Sequence, residues 1–173
     1  MAASGTKTFS SIQERRVAEY LGWQVVAGSG ARNCFPGDVK AEGWLGECKT
    51  HPSPGHKLSF SRAVWKKIQD EAKSRFSAPA YFVDDGSQLV DHTWVMYLPH
   101  SITTPVHLLE FSLPAVTRAS FTVSREQLEL TYVHAMKTQS SSVPTMVFKI
   151  QFGDEFVMLS NIAVFKFVCL SGR

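Results

Sequence analysis

Cysteine is scarce in this chain. Cys34, Cys48 and Cys169 form no Cys-x-x-Cys pair, and three is an odd number, so a disulfide framework is not expected. Reduced thiols in a cytoplasmic protein are. Long apolar runs are also missing. Nothing approaches the roughly 20 residues of a membrane helix, and the N-terminal residues contain no signal-peptide hydrophobic segment. No membrane partner is expected. His51, His56, His92, His100, His107 and His134 show no His-x-x-x-His spacing. No Ser or Cys stands with a His in a nucleophilic arrangement, and Gly28-Ser29-Gly30 lacks the spacing of a P-loop or dinucleotide loop. These absences leave hard-cation chemistry, in which carboxylates and carbonyl oxygens hold the ion.

What is present is an ordinary folding composition with one unusual cluster. A chain of 173 residues, 44% hydrophobic and 12% aromatic, suits one domain with a full core. Gly37-Asp38-Val39-Lys40-Ala41 leads through Glu42-Gly43 into Trp44-Leu45-Gly46-Glu47-Cys48-Lys49, which reads as a two-residue hairpin. That turn sets Ala41 against Trp44, Lys40 against Leu45, Val39 against Gly46 and Asp38 against Glu47. Directly opposed residues have Cβ atoms about 4.5–5.5 Å apart. Two carboxylates this close repel unless a cation or a proton lies between them. Strand alternation puts Lys49 on the face of Glu47, and Trp44, Gly46 and Cys48 on the other.

The net charge of +3 is unevenly spread. From Lys49 to Arg75 seven Lys or Arg face two acids, Asp70 and Glu71, while the remainder is slightly acidic. A basic segment just after a carboxylate pair suits a polyanion whose phosphates bring a metal. On the second helix, predicted over about Ser61 to Phe76, Val64, Trp65, Ile68 and Ala72 form the apolar face. Arg62, Lys66, Gln69 and Lys73 form a ridge suited to tracking phosphates. Glu14 lies on the first helix with Val17, Ala18 and Leu21 at i+3, i+4 and i+7. A glutamate there is neutral, paired or metal-bound, or else reaches water from the stripe edge.

Residues 1–9 read as a loose arm, and the first helix is expected from Ser10 or Ser11 as N-cap to about Leu21, stopped by Gly22. Trp23–Val26, Ala80–Val83 and Thr93–Tyr97 read as strands, with a loop over His51–His56 and a turn at Asp84-Asp85-Gly86. Further on, Phe121–Val123 reads as a strand and Ser124 to about Lys137 as a helix. Met146–Phe152 and Glu155–Leu159 form a hairpin around Gly153-Asp154. Ser59-Phe60…Pro79…Trp94-Val95-Met96 weakly echoes Ser120-Phe121…Pro144…Phe156-Val157-Met158, and is read as two similar secondary-structure runs in preference to a degenerate duplication of a helix-plus-strands unit.

Several segments then fall into a familiar order. They are Gln13-Glu14-Arg15-Arg16-Val17-Ala18-Glu19-Tyr20-Leu21-Gly22, Gly28-Ser29-Gly30-Ala31, Gly37-Asp38-Val39, Gly46-Glu47-Cys48-Lys49 and the basic second helix. Over roughly Gln13 to Val83 the chain resembles the PD-(D/E)XK nuclease superfamily, and within it the archaeal and phage Holliday-junction resolvases. The family's Pro-Asp pair is interrupted here, since Gly37 separates Pro36 from Asp38. The resemblance does not reach the stretch from about Pro99 to Arg173.

The resemblance implies an α/β fold with a restriction-endonuclease-like core, a central mixed β-sheet flanked by helices, over residues 10–98. A C-terminal α+β extension over 99–173 would pack on the same domain. It implies that Asp38, Glu47 and the backbone carbonyl of Cys48 bind Mg²⁺, for which Mn²⁺ would substitute. Glu14 would complete the metal shell directly or through water, and Lys49 would orient or activate the attacking water. Ser29 would touch the scissile strand, and Arg32, Lys57, Arg62, Lys66, Gln69 and Lys73 would contact DNA. The expected protein is a homodimeric, metal-dependent DNA endonuclease acting on branched DNA such as a four-way junction, in the cytoplasm and of phage type. The alternatives are a repair, restriction or exonuclease-type PD-(D/E)XK enzyme, and a DNA-binding module whose acids are structural.

Overall fold

The structure is a computed structural model that describes residues 4–27, 37–51, 55, 57–102, 108–138 and 145–170. Ser29 and Arg32 lie outside the described residues. Helix α1 spans Ser4–Leu21, so the arm expected over residues 1–9 is helical from Ser4 onward. Ser10 is not its N-cap: the hydroxyl donates to Glu14 Oε1 one turn on, at 3.0 Å. The far end is as the sequence predicts. Trp23 N–H closes back on Ala18 O at 2.8 Å, and Gly22 takes φ +72° at the position where a left-handed residue is required.

Strand β1 (Gln24–Val25) pairs antiparallel with β2 (Val39–Ala41), which forms the expected hairpin with β3 (Trp44–Thr50). Next come β4 (Lys57–Ser61) and helix α2 (Arg62–Lys73), which is N-capped by Ser61. Strand β5 (Ala78–Asp84) runs parallel to β3 and is buried over most of its length; β6 (Trp94–Tyr97) runs antiparallel to β5. The C-terminal part supplies β7 (Leu108–Ser112), β8 (Ser120–Ser124), α3 (Arg125–Thr138), β9 (Thr145–Phe152), β10 (Glu155–Asn161) and α4 (Ile162–Leu170).

The sequence pattern did not mark β4, β7 or α4. Strand β4 lies between the segment read as a loop, which ends at His56, and the predicted second helix, and its pairing with β8 joins residues some 60 positions apart. Helix α4 follows Asn161, whose Oδ1 accepts from Ala163 N–H, and it buries Ile162, Phe165 and Val168.

The main sheet is mixed and eight-stranded, in the order β1-β2-β3-β5-β6-β10-β9-β7, with β4-β8 as a second sheet. On one face α1 and α4 enclose Val17, Leu21, Cys48, Phe82, Tyr97 and Phe165. On the other, α2, α3 and the β4-β8 pair enclose Leu45, Phe60, Trp65, Ile68, Tyr81 and Phe148. This is an α/β architecture with helices on both sides of a mixed sheet. Among the described residues no helix is long and apolar enough to cross a membrane.

The sheet order has an internal two-fold pattern. The run β3-β4-α2-β5-β6 recurs as β7-β8-α3-β9-β10, with β3 parallel to β5 and β7 parallel to β9. The halves meet through antiparallel β6-β10 and β4-β8. Ser61-Arg62 opens one helix and Ser124-Arg125 the other. The weak sequence echo read as two similar runs thus marks two topologically equivalent halves of one sheet. Aligned by strand starts, Glu47 corresponds to Phe111 and Lys49 to Leu113; Glu47 pairs with Tyr81, and Phe111 with Phe148.

Candidate active site

The hairpin brings Asp38 to the Glu-x-Lys segment. Asp38 N–H donates at 2.8 Å to the O of Gly46, the residue already paired with Val39, so Asp38 joins β3 at Gly46 and not in the expected register opposite Glu47. Val26 N–H donates to Asp38 O on the other side at 2.8 Å. Its backbone is therefore held by both neighbours. The Asp38 side chain turns to β3, where Oδ2 accepts Cys48 N–H at 2.8 Å. Gly37 must be glycine here: its φ is +73°, and an added Cβ would lie 2.8 Å from Leu45 Cδ1. That accounts for the interrupted Pro-Asp pair.

Glu47 is buried and turned toward α2. Two ammonium groups hold it: Lys49 Nζ lies 2.7 Å from Oε1, and Lys67 Nζ lies 3.2 Å from Oε1 and 3.1 Å from Oε2. Lys67 also lies 3.7 Å from Glu71, and Glu71 Oε2 accepts Gly37 N–H at 3.0 Å. Helix α2 is thus tied to both carboxylate-bearing strands. From the opposite face α1 contributes Gln13, whose Nε2 donates to Lys49 O at 2.9 Å, and the buried Glu14. Glu14 is close enough to act on Asp38 electrostatically.

The charges are strongly coupled. Burial, then the nearby Glu47, push the Asp38 carboxyl up to about 6; the Cys48 amide opposes this, Glu14 adds to it and Lys49 subtracts. Burial works against the charged form of Lys49, but the hydrogen bond and charge of Glu47 outweigh it and hold the ammonium above its ordinary value. The Cys48 thiol is buried among the α1-side core, where desolvation and the neighbouring acids push it well up. Only the backbone of Cys48 is therefore available to the site.

The donor set suits a hard cation. Asp38, Glu47 and Glu14 place like charge together in a partly desolvated pocket, and a bound cation would relieve the repulsion that raises Asp38. Among the described residues no three His, Cys, Asp or Glu side chains converge in ligating geometry. Glu47 is instead occupied by the two lysines, so a metal would have to displace at least Lys67.

The ridge expected to track phosphates stands elsewhere. Lys67 lies about 160° around α2 from Gln69, and the ridge residues face the β9-β10 turn rather than the carboxylates. Gln69 Nε2 donates to Glu155 Oε2 at 3.0 Å, while Arg62 donates to Val116 O at 3.3 Å and lies over the Phe152 ring. Lys66 and Lys73 are exposed, but they line a groove that also contains Asp70, Asp154 and Glu155. Lys57, at the start of β4, opens onto a separate hollow with Thr122, Glu126 and Leu130. The packing of the β9-β10 hairpin decides this arrangement, and the helical repeat alone does not contain it.

The residues the sequence reading missed are Lys67, Glu71 and Tyr81. Tyr81 neighbours Glu47 on β5, and its hydroxyl, pushed up chiefly by burial, accepts Ser61 N–H at 3.4 Å. The i,i+4 spacing of Lys67 and Glu71 was a usable signal. The structure also gathers Asp85, Ser87 and His92. Ser87 Oγ and Asp85 Oδ2 approach the same ring nitrogen, Nδ1, at 2.9 and 3.2 Å, so no proton relay through the imidazole runs between them. This cluster braces α3 through Arg125, which donates to Asp85 at 3.0 Å.

Comparison of the chain with family models, curated proteins and solved structures finds no match.

Proposed function

We propose that this chain is a metal-dependent DNA endonuclease of the PD-(D/E)XK type, with a restriction-endonuclease-like core and a four-way junction or similarly branched DNA as substrate. One observation carries the reading. Asp38 hydrogen-bonds the backbone between Glu47 and Lys49, so all three functional groups stand at one point of the sheet.

Mg²⁺ or Mn²⁺, when bound, lowers the pKa of a ligated water and neutralises a non-bridging phosphate oxygen. Asp38, Glu47 and the Cys48 carbonyl would hold the ion, with Glu14 acting directly or through water. Lys49, kept protonated by Glu47, orients the attacking water and offsets the negative charge that grows on the phosphate. The water oxygen bonds to phosphorus, the bond from phosphorus to the 3′-oxygen breaks, and the water's proton ends on that oxygen, leaving a 3′-hydroxyl and a 5′-phosphate. The counterparts of Glu47 and Lys49 in the second half are Phe111 and Leu113, which can do none of this. With one such centre among the described residues, paired nicks require a homodimer. The reading places the protein in the cytoplasm.

A DNA-binding module with structural acids is favoured by a different observation, the double ion pair on Glu47. The two readings part on a single experiment, in which a labelled four-way junction and the matching linear duplex are incubated with Mg²⁺ or with EDTA. Metal-dependent cleavage of the junction supports the enzyme. Binding without cleavage at any metal concentration supports the module.

A further inference from the structure

Helices α1 and α2 end in the same backbone motif but with different residues. In α1, Trp23 N–H reaches Ala18 O, and the left-handed residue between them is Gly22. In α2, Ser77 N–H reaches Ala72 O and Phe76 N–H reaches Lys73 O, so Phe76 takes the glycine position at φ +54°. A bulky residue is rare in this conformation. Phe76 is also 99% exposed, the most exposed large apolar side chain described. Neither a helix stop nor a core contact accounts for a phenylalanine here. Glycine would serve the first better, and the second is absent.

The surroundings point to a ligand. Phe76 stands on the rim of a groove of about 1010 Å³, with Trp65, Lys66, Gln69 and His100 among its lining. Arg62, Lys66 and Lys73 are offset there by Asp70, Asp154 and Glu155, so the groove is a poor track for continuous phosphates. Its mixture of donors and acceptors under an aromatic ring instead matches a nucleobase, which has a π-face and polar edges. Lys73 and Arg75 lie three residues and one residue before Phe76, are exposed, and form no ion pair among the described residues. They supply positive charge for the phosphates next to such a base. Ala78 pairs with Trp44, which is three residues, or roughly 10 Å, along β3 from Glu47. The ring therefore lies within one short stretch of DNA from the carboxylates.

We infer that Phe76 and this groove take up an unpaired base of the DNA at a branch point, stacking it on the ring. The inference rests on the nuclease reading and adds to it the element that selects branched over linear DNA.

The test measures binding in EDTA with the full chain, so that cleavage plays no part. The ligands are a four-way junction carrying 2-aminopurine at the branch and the matching linear duplex. Wild type is expected to prefer the junction and to quench the 2-aminopurine by stacking. Phe76→Gly, which places at α2 the residue that ends α1, should melt no lower than wild type. Its junction affinity should nevertheless fall about tenfold, with duplex affinity within about twofold of wild type. Phe76→Trp should restore both affinity and quenching. Unchanged junction binding in Phe76→Gly, an equal loss on both DNAs, or a wild type that does not prefer the junction would overturn the inference. Failure of the nuclease reading is separately visible, as wild type that binds the junction but does not cleave it with Mg²⁺, or as cleavage that persists in Asp38→Asn.

Discussion

Lys67 on α2 grips both oxygens of the buried Glu47 on β3, at 3.2 and 3.1 Å, while Lys49 takes Oε1 from β3 itself. Glu47 therefore cannot accept a metal ion without releasing Lys67. The lysine acts as a resident counter-ion that holds the carboxylate in place.

Lys67→Met should accordingly have two opposite effects. Without metal, Glu47 loses a charged partner at a half-exposed contact, which costs about 1 kcal/mol and lowers the melting temperature by roughly 2–4 °C. With Mg²⁺, the ion enters without competition, so the metal-induced rise in melting temperature should exceed that of wild type. A smaller rise than wild type would mean that Lys67 helps to build the metal site.

Asp38→Asn should abolish cleavage and leave DNA binding largely intact, because affinity for DNA comes mainly from cations. It should also change the pH dependence of stability. In the folded chain the Asp38 carboxyl is raised from 3.8 to about 6, so folding favours its protonated form. That contribution is complete below about pH 4 and is lost as pH rises through about 6. Melting in EDTA should therefore show the asparagine variant gaining on wild type between pH 4 and 7. Parallel curves across that range would contradict the electrostatic picture.

Lys49→Ala should slow cleavage by on the order of 10²–10³-fold while metal still binds, since the proposed role of the ammonium is on water and on the transition state. Titration calorimetry with Mg²⁺ separates this from a ligand role. Collapse of metal affinity in the variant would assign Lys49 to the metal site instead.

Glu14 is buried beside Asp38 and accepts from Ser10. Glu14→Gln removes one like charge from the cluster while keeping an acceptor for the serine, so the fold should melt at or above the wild-type temperature. Cleavage should fall severely. Wild-type cleavage in this variant would remove Glu14 from the centre and leave it as a structural partner of Ser10.

Some of this arrangement was legible without coordinates. Strand alternation has a period of two, and a two-residue turn fixes register, so Glu42-Gly43 alone set Ala41, Lys40 and Val39 opposite Trp44, Leu45 and Gly46 and put Lys49 on the face of Glu47. The apolar stripe of α1 likewise carried Glu14 inward, and Gly22 ended that helix because only glycine takes a left-handed turn at little cost. Each of these is a relation between residues a few positions apart, where backbone geometry leaves one answer.

The rest depended on which surfaces meet. Helical periodicity marks the buried stripe of α2 but does not say which flank faces the β2-β3 hairpin. The structure turned Lys67 and Glu71 to the carboxylates, and the Arg62-Lys66-Gln69-Lys73 ridge to the β9-β10 turn. Strand β4 and its partner β8 are individually short and half-polar, and become a sheet only because residues some 60 positions apart pair. Local propensity and pattern therefore determined the site's carboxylates and their spacing. Long-range packing alone decided which cation holds them and where the free aromatic, Phe76, stands, because contacts between distant segments leave no periodic trace in the chain.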